Sequence, residues 1–322
     1  MNKFIVLGSI NVDYVMEVNR LPLLGETLNS QSFLINHGGK GANQAFSLAK
    51  QNEEVYLISA VGDDTMGKDA IENLKAHKVH TDFIQAINNT NTGIAFILIE
   101  NHNNRIILNS GANQKINKTQ ILDALKNANE DDYLIVQLET NLDAVYFAIQ
   151  EAKKRKMIVA FNPAPVQEIE KNIFNFIDFL IVNEIECKML LNCEYNQKEQ
   201  IQVFLDKYSI NYLIITLGDQ GALVYTKNNV KKYPAHNVNA IDTTAAGDSF
   251  IGAFLSEWNK TNILDKSMEY AIIASALTCT SIGAQKSIKN RNEIENYLKK
   301  TKFWYYSKLF LFVDNNTVSY YN

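Results

Sequence analysis

Three cysteines in 322 residues (Cys187, Cys193 and Cys279) are scattered, odd in number and without a C-x-x-C pair. That argues against a disulfide framework and a thiolate zinc site, and for a reducing compartment, so a cytoplasmic enzyme is expected. The five histidines show no metal-ligand spacing. No basic block interrupts a chain of net charge −4 and pI about 5.8, so neither a nucleic-acid backbone nor an anionic membrane is the expected partner. No stretch reaches the roughly 18 apolar residues of a membrane span. The apolar run at 4–7, broken by Gly8, Asn11 and Asp13, is too short for a signal peptide. Two nucleotide fingerprints are missing as well. Gly8-Ser9-Ile10-Asn11 is not G-x-G-x-x-G, which disfavours a nicotinamide enzyme, and no Ser or Thr follows Lys40, so Gly38-Gly39-Lys40-Gly41 is not a P-loop.

What is present is ordinary globular material, 46% hydrophobic and 20% charged, long enough to bury a large core. Residues 4–7 read as a strand buried on both faces, with Asn11 and Asp13 just beyond its end. From about residue 117 apolar runs alternate with helical patterns: strands at 133–138, 157–161, 179–182 and 212–217, helices at 141–154 and 184–191. That predicts a three-layer, doubly wound, mostly parallel α/β sheet, with polar residues such as Glu139, Asn162 and Asn183 collected at one edge. Strand-like pieces at 12–18 and 31–36 and a hairpin over 93–109 predict a small separate sheet acting as a lid. Residues 1–300 are expected to form a single domain, and 301–322 an aromatic extension of unknown role.

The chain is organised around Asp242-Thr243-Thr244-Ala245-Ala246-Gly247-Asp248, small residues leading to a carboxylate at the start of an apolar helix pattern. A helix N-terminus leaves N–H groups unpaired and carries partial positive charge, which suits a phosphate; Asp248 would set a base beside it. Taken alone, Asp248 is equally an ordinary first-turn acid. His37-Gly38-Gly39-Lys40-Gly41-Ala42-Asn43 lets backbone approach a polar ligand, or is a tight strand-to-helix turn. Asn183 and Glu186, three apart at a helix start, could hold hydrated magnesium or form a capping box. The loop at 216–221 could pass under nucleotide phosphates or be a plain turn. The helix pattern at 265–282 ends at Gly283, and residues 291–300 look like a final charged helix.

With these pieces placed, the chain resembles the ribokinase (PfkB-type) family of carbohydrate kinases. Two motifs carry the resemblance, Gly38 to Asn43 continuing into Gly62-Asp63-Asp64-Thr65-Met66-Gly67, and Asp242 to Asp248, about 200 residues later. The resemblance implies ATP-dependent phosphorylation of a sugar, D-ribose first among the candidates. Asp248 would be the base, and the N–H groups of Ala245, Ala246 and Gly247 the anion hole. Sugar binding would fall to Asn11, Asp13, Gly39, Lys40, Gly41, Asn43 and Glu139. ATP would lie along Thr216, Leu217, Gly218, Asp219, Gln220 and Gly221, with Asn183 and Gly247 at its phosphates and Glu186 placing Mg2+. A potassium ion would sit among Asp242, Thr244, Thr278, Ser281, Gly283 and Ser287, mostly on backbone oxygens. The resemblance also implies a homodimer through the lid. Two departures stand out: Lys286 where relatives often carry proline, and Ile272 beside the adenine where some carry histidine.

Overall fold

Runs of branched and aromatic residues closed by glycine or polar turns become strands in the computed structural model, which describes residues 2–101, 103–227 and 229–300. In chain order β1 (Phe4–Leu7), β2 (Asn11–Glu17) and β3 (Ser32–Gly38) lead into α1 (Lys40–Lys50). Then come β4 (Val55–Gly62), α2 (Thr65–Ala76), β5 (Val79–His80), β6 (Ile84–Ile87) and the hairpin of β7 (Gly93–Glu100) and β8 (Asn103–Asn109). The next stretch holds α3 (Lys118–Ala124), β9 (Tyr133–Val136), α4 (Leu142–Lys154), β10 (Ile158–Phe161), β11 (Phe179–Asn183), α5 (Glu184–Leu191), α6 (Lys198–Tyr208) and β12 (Tyr212–Thr216). The edge hairpin β13 (Ala222–Thr226) and β14 (Asn229–Tyr233) precedes α7 (Ala246–Thr261), α8 (Leu264–Thr278) and α9 (Ala284–Ser287), and residues 291–300 are helical.

The main sheet runs β14-β13-β12-β11-β10-β9-β1-β4-β5, with β6 also on β4. Its pairs are parallel except β12–β13 and β13–β14. Alternation along β1 fixes the layers. Ile5 and Leu7 join one core with Ile121, Val145, Ile149 and Ile201, which lie on α3, α4 and α6. Phe4 and Val6 join the other, with Leu48, Phe254 and Met268 of α1, α7 and α8. The first strand in the chain lies between β4 and β9, so the strand order reverses there and a cleft opens beyond the carboxyl ends.

The second sheet, ordered β3-β2-β7-β8, stands apart. Tyr14 lies opposite Ile35 and Phe96, and Phe96 opposite Ile107, so these side chains share one face. Asn11 and Asp13 share the other and are buried.

Three stretches among those described differ from the sequence expectation. The helix pattern at 265–282 stops at Thr278, because the Cys279 carbonyl accepts the N–H groups of Ile241 (2.8 Å) and Asp242 (3.2 Å) from the organising segment. The edge hairpin β13–β14 and helix α6 were not anticipated; β14 alternates weakly, with Lys231 and Lys232 side by side. Among the described residues no helix is long and apolar enough to cross a membrane. The aromatic extension expected at 301–322 lies outside the described residues.

Candidate active site

At the N-terminus of α7 the backbone turns left-handed at Ala245 (φ 59°), which redirects the chain into the helix. The Asp242 carboxylate pins this turn. One oxygen accepts the Thr244 N–H (2.9 Å) and hydroxyl (2.6 Å), and the other accepts the Gly283 N–H (2.8 Å). Of the three N–H groups expected to form an anion hole, that of Ala246 already donates to the Thr243 carbonyl at 3.2 Å. Those of Ala245 and Gly247 meet no acceptor among the described residues. A side chain at Gly247 would meet open space, and Ala245 and Gly247 both line a cavity beside Asp248.

Asp248 follows, buried, with both oxygens held. Asn43 donates to one (3.0 Å) and Gln44 to the other (2.9 Å), from α1. Gln44 in turn accepts from Gln137 at 2.6 Å. The glycines before α1 make this approach possible. Gly39 has φ 91°, and a Cβ there would lie 2.7 Å from the Asn11 nitrogen and the Ser9 oxygen. A Cβ on Gly41 would lie 2.4 Å from the backbone of Gly8.

A cavity of about 180 Å3 lies between the small sheet and this turn, lined by Asn11, Asp13, Gly39, Lys40, Asn43, Glu139, Thr244 and Asp248, with Ile97, Ile106 and Leu108 above. Glu139 organises its floor: one oxygen accepts from Ser9 (2.5 Å), the Lys40 N–H (3.1 Å) and Asn11 (3.4 Å). Lys40 and Asp248 also line a second cavity of about 210 Å3 with Asn183, Glu186, Thr216 and Gly247. That one shares Thr216 and Gly247 with a larger, mostly apolar cavity of about 310 Å3 formed by Gly218, Asp219, Gly221, His236, Val238, Ile272, Ala276 and Cys279. Three compartments therefore follow one another, with Asp248 at the first junction and Gly247 at the second.

This arrangement has close relatives. The family model for pfkB family carbohydrate kinases matches residues 1–291. The chain belongs to that family. It is 36% identical over 299 residues to a ribokinase of Haemophilus influenzae and 34% identical over 299 residues to a deoxyribokinase of Salmonella typhi, each alignment covering 91% of this chain and 97% of the relative. A solved structure of Arabidopsis thaliana ribokinase complexed with ribose and ATP superposes with a TM-score of 0.83 at 27% identity, over 93% of this chain and 99% of that one. This member of the PfkB family is a ribokinase-family sugar kinase with the ribokinase-like α/β fold.

Within the kinase site the charges are unevenly set. Burial, followed by the Glu139 and Asp248 charges, pushes Asp13 up to about 7. Burial also raises Asp248, against the Lys40 charge and the Asn43 and Gln44 amides, and the net direction is upward. Burial pulls Lys40 down, but Asp248, Glu139 and Glu186 outweigh it, so its ammonium stays charged well into alkaline solution. Burial raises Glu186 despite the Asn183 N–H and Lys40.

Several expected residues sit elsewhere than the cavities. Leu217 is buried in the core and Gln220 does not line the nucleotide-sized cavity; the turn Gly218–Gln220 is closed by the Leu217 N–H on the Gly221 carbonyl (2.8 Å), which aims those side chains away. Gly41 is absent from the sugar-sized cavity and packs on Gly8. Asn183 and Glu186 do form a capping box, at 2.8 and 2.9 Å, while also lining the middle cavity. Thr278 turns its hydroxyl to Ser249 (2.8 Å), Ser287 to the Ala284 carbonyl (2.8 Å), and Ser281 accepts from Lys289 (2.9 Å). Three residues were missed. Gln44 and Ser9 each directly adjoin a recognised motif residue or strand end, whereas Asn113, which clamps Asn11 (2.8 Å) and the Ile10 backbone, comes from a 3-10 turn about a hundred residues away. No local pattern marks it.

Proposed function

We propose that this kinase transfers the γ-phosphoryl group of ATP to the 5-hydroxyl of D-ribose, giving ribose 5-phosphate and ADP. The observation that carries the reading is the junction at Asp248, a buried carboxylate between a cavity lined by hydroxyl-matching groups and an N–H-lined gap. Asn11, Asp13 and Glu139 offer an amide and two carboxylates to adjacent hydroxyls, of which carboxylates can accept two at once. The sugar's reacting hydroxyl hands its proton to Asp248, whose basicity burial raises. The N–H groups of Ala245 and Gly247, with the Lys40 ammonium, balance charge on the phosphoryl in flight, and positioning supplies most of the catalysis.

The donor set suits the metals of the family reading. Glu186 keeps one oxygen outside its capping bond and lines the middle cavity, as befits a water-bridged magnesium. Bound Mg2+ would neutralise phosphate charge there. Asp242, bonded to Gly283, brings the two segments of the proposed potassium site together, with Thr244, Thr278, Ser281 and Ser287 supplying oxygens. The small sheet serves as the lid over the sugar. Its outer face, with Phe33, Ile35, Phe96 and Ile107 each 45–68% exposed, is the surface for a homodimer.

A second reading, 2-deoxyribose as acceptor, is favoured by the deoxyribokinase relative. Asn11 weighs against it, because its amide suits a 2-hydroxyl whereas an apolar side chain would suit its absence. The deciding experiment is a coupled ADP-release assay on ribose, 2-deoxyribose, fructose and adenosine, each with and without potassium. Selective turnover of ribose, raised by potassium, is expected; preference for another acceptor would overturn the substrate assignment, and no response to potassium the cation site.

A further inference from the structure

One buried amide, on the 3-10 turn Gly111–Lys115, governs how another meets the sugar cavity. Asn113 is buried and uses both ends of its side chain. Its Oδ1 accepts the Ile10 N–H (2.9 Å), while its Nδ2 donates to the Ile10 carbonyl (3.1 Å) and to Oδ1 of Asn11 (2.8 Å). These bonds admit one arrangement. A backbone N–H only donates and a backbone carbonyl only accepts, so Ile10 fixes which end of the Asn113 amide is oxygen and which is nitrogen. Asn113 must then offer Asn11 a donor, and Asn11 must meet it with its oxygen. That commits the Asn11 NH2 to the opposite side, where it donates to Glu139 at 3.4 Å, and both residues line the sugar cavity. Gly93, paired with Asn11 in the small sheet, leaves the room for this lock. A Cβ there would lie 2.3 Å from both Asn11 Oδ1 and Asn113 Nδ2.

We infer that Asn113 is a positioning residue for acceptor choice: by locking Asn11 with its NH2 toward the acceptor, it sets the preference for a sugar with a 2-hydroxyl over one without. A donor is what this cavity needs. Glu139 and ionised Asp13 only accept, and each sugar hydroxyl has a single proton to give. A hydroxyl that gives its proton to a carboxylate keeps lone pairs in need of a donor, and the Asn11 NH2 meets them. Turned over, Asn11 would set its oxygen beside Glu139 and compete for the same proton. The identity of the hydroxyl rests on the ribose reading; the lock itself does not.

The test compares the full chain as wild type, Asn113→Asp, Asn11→Ala and the double variant, with ribose and 2-deoxyribose as acceptors at saturating ATP. Aspartate keeps the shape of asparagine and still accepts the Ile10 N–H, but its carboxylate has no hydrogen to give Asn11. In Asn113→Asp, kcat/KM for ribose is expected to fall about tenfold or more, with that for 2-deoxyribose and the KM for ATP unchanged within about twofold. Because Asn113 acts through Asn11, the double variant should show the same ribose to 2-deoxyribose ratio as Asn11→Ala alone. A residue that merely supports the fold would lower both acceptors together. Equal losses for the two sugars, or additive effects in the double variant, would overturn the proposal. Should Asn113→Asp not fold, side-chain amide NMR of the 15N-labelled wild type carries the question. The Asn113 NH2 protons should exchange slowly with solvent and the Asn11 NH2 signal should move with ribose; exchange at Asn113 as fast as at surface asparagines would overturn the lock. The ribose reading fails separately, on a wild type that prefers another acceptor.

Discussion

Strands β1 and β8 come from one chain and have opposite fates. Every residue of β1 is buried, Phe4 and Val6 on one side and Ile5 and Leu7 on the other. Every residue of β8 is exposed, Ile106 and Ile107 included. The main sheet is covered by helices on both faces, so its strands can be apolar throughout. The small sheet has no covering layer among the described residues. One face takes its burial from the cleft, where it delivers Asn11 and Asp13, and the other face is left apolar and open. Burial is therefore concentrated in the body, and the small sheet is the less buried of the two.

The largest effect expected separates chemistry from binding. Asp248→Asn, which keeps the side chain's shape and one of the two amide bonds from Asn43 and Gln44, should lower kcat by about 10²–10⁴-fold, with sugar and ATP binding retained by calorimetry; near-normal turnover would mean another base. Next comes the body. Leu57→Ala, fully buried in β4, should cost about 2–5 kcal/mol in urea unfolding, whereas Ile107→Ala, 68% exposed on β8, should stay within about 0.5 kcal/mol. Comparable losses at both positions would erase the distinction between the sheets. The same Ile107→Ala, combined with Phe96→Ala, should shift the assembly toward monomer in light scattering; a wild type already monomeric at working concentration would contradict the dimer.

A smaller, signed effect sits where the two regions meet. The Asp13 carboxyl, raised to about 7, binds its proton more tightly folded than unfolded. The stability this provides is complete below about pH 4 and is lost as pH rises through about 7. Asp13→Asn should therefore raise Tm at pH 8, with no gain near pH 4, while weakening sugar binding. A variant less stable than wild type at pH 8 would show the ionised carboxylate to be favourably paired. In the wild type, sugar kcat/KM should rise as pH passes 7, since only the ionised form accepts two hydroxyls. The smallest effect is kinetic protection: saturating sugar should slow proteolysis within residues 93–109, and an unchanged rate would argue against closure of the small sheet.

Much of this was legible in local pattern. Buried runs such as residues 4–7 and 212–216, and small residues before Asp248, carry their signals in consecutive positions. Hydrophobic periodicity and helix-terminus chemistry act over a few residues, so they can be read in order. The polar residues that line the cavity beneath the small sheet, such as Asn11, Asp13 and Glu139, stand in the sequence as punctuation after strands. Leu217 and Gln220 lie outside the cavity linings, since a loop's composition does not say which side chains turn inward, and Gly41 packs instead on Gly8, thirty-three positions earlier. Asn113 had no local mark at all.

The sequence by itself determined the alternation of strands and helices, the glycine turn before α1 and the carboxylate at the head of α7. Those features follow from short-range sterics and from the spacing of apolar side chains. Only the tertiary structure decided that Ala246 turns its N–H onto Thr243, that Asn43 and Gln44 hold both oxygens of Asp248, and that His37, Lys50, His77 and Lys286 meet in one cavity. The contacts on Asp248 and across that cavity join residues more than two hundred positions apart, and they exist only once packing of the two cores has fixed where each element lies.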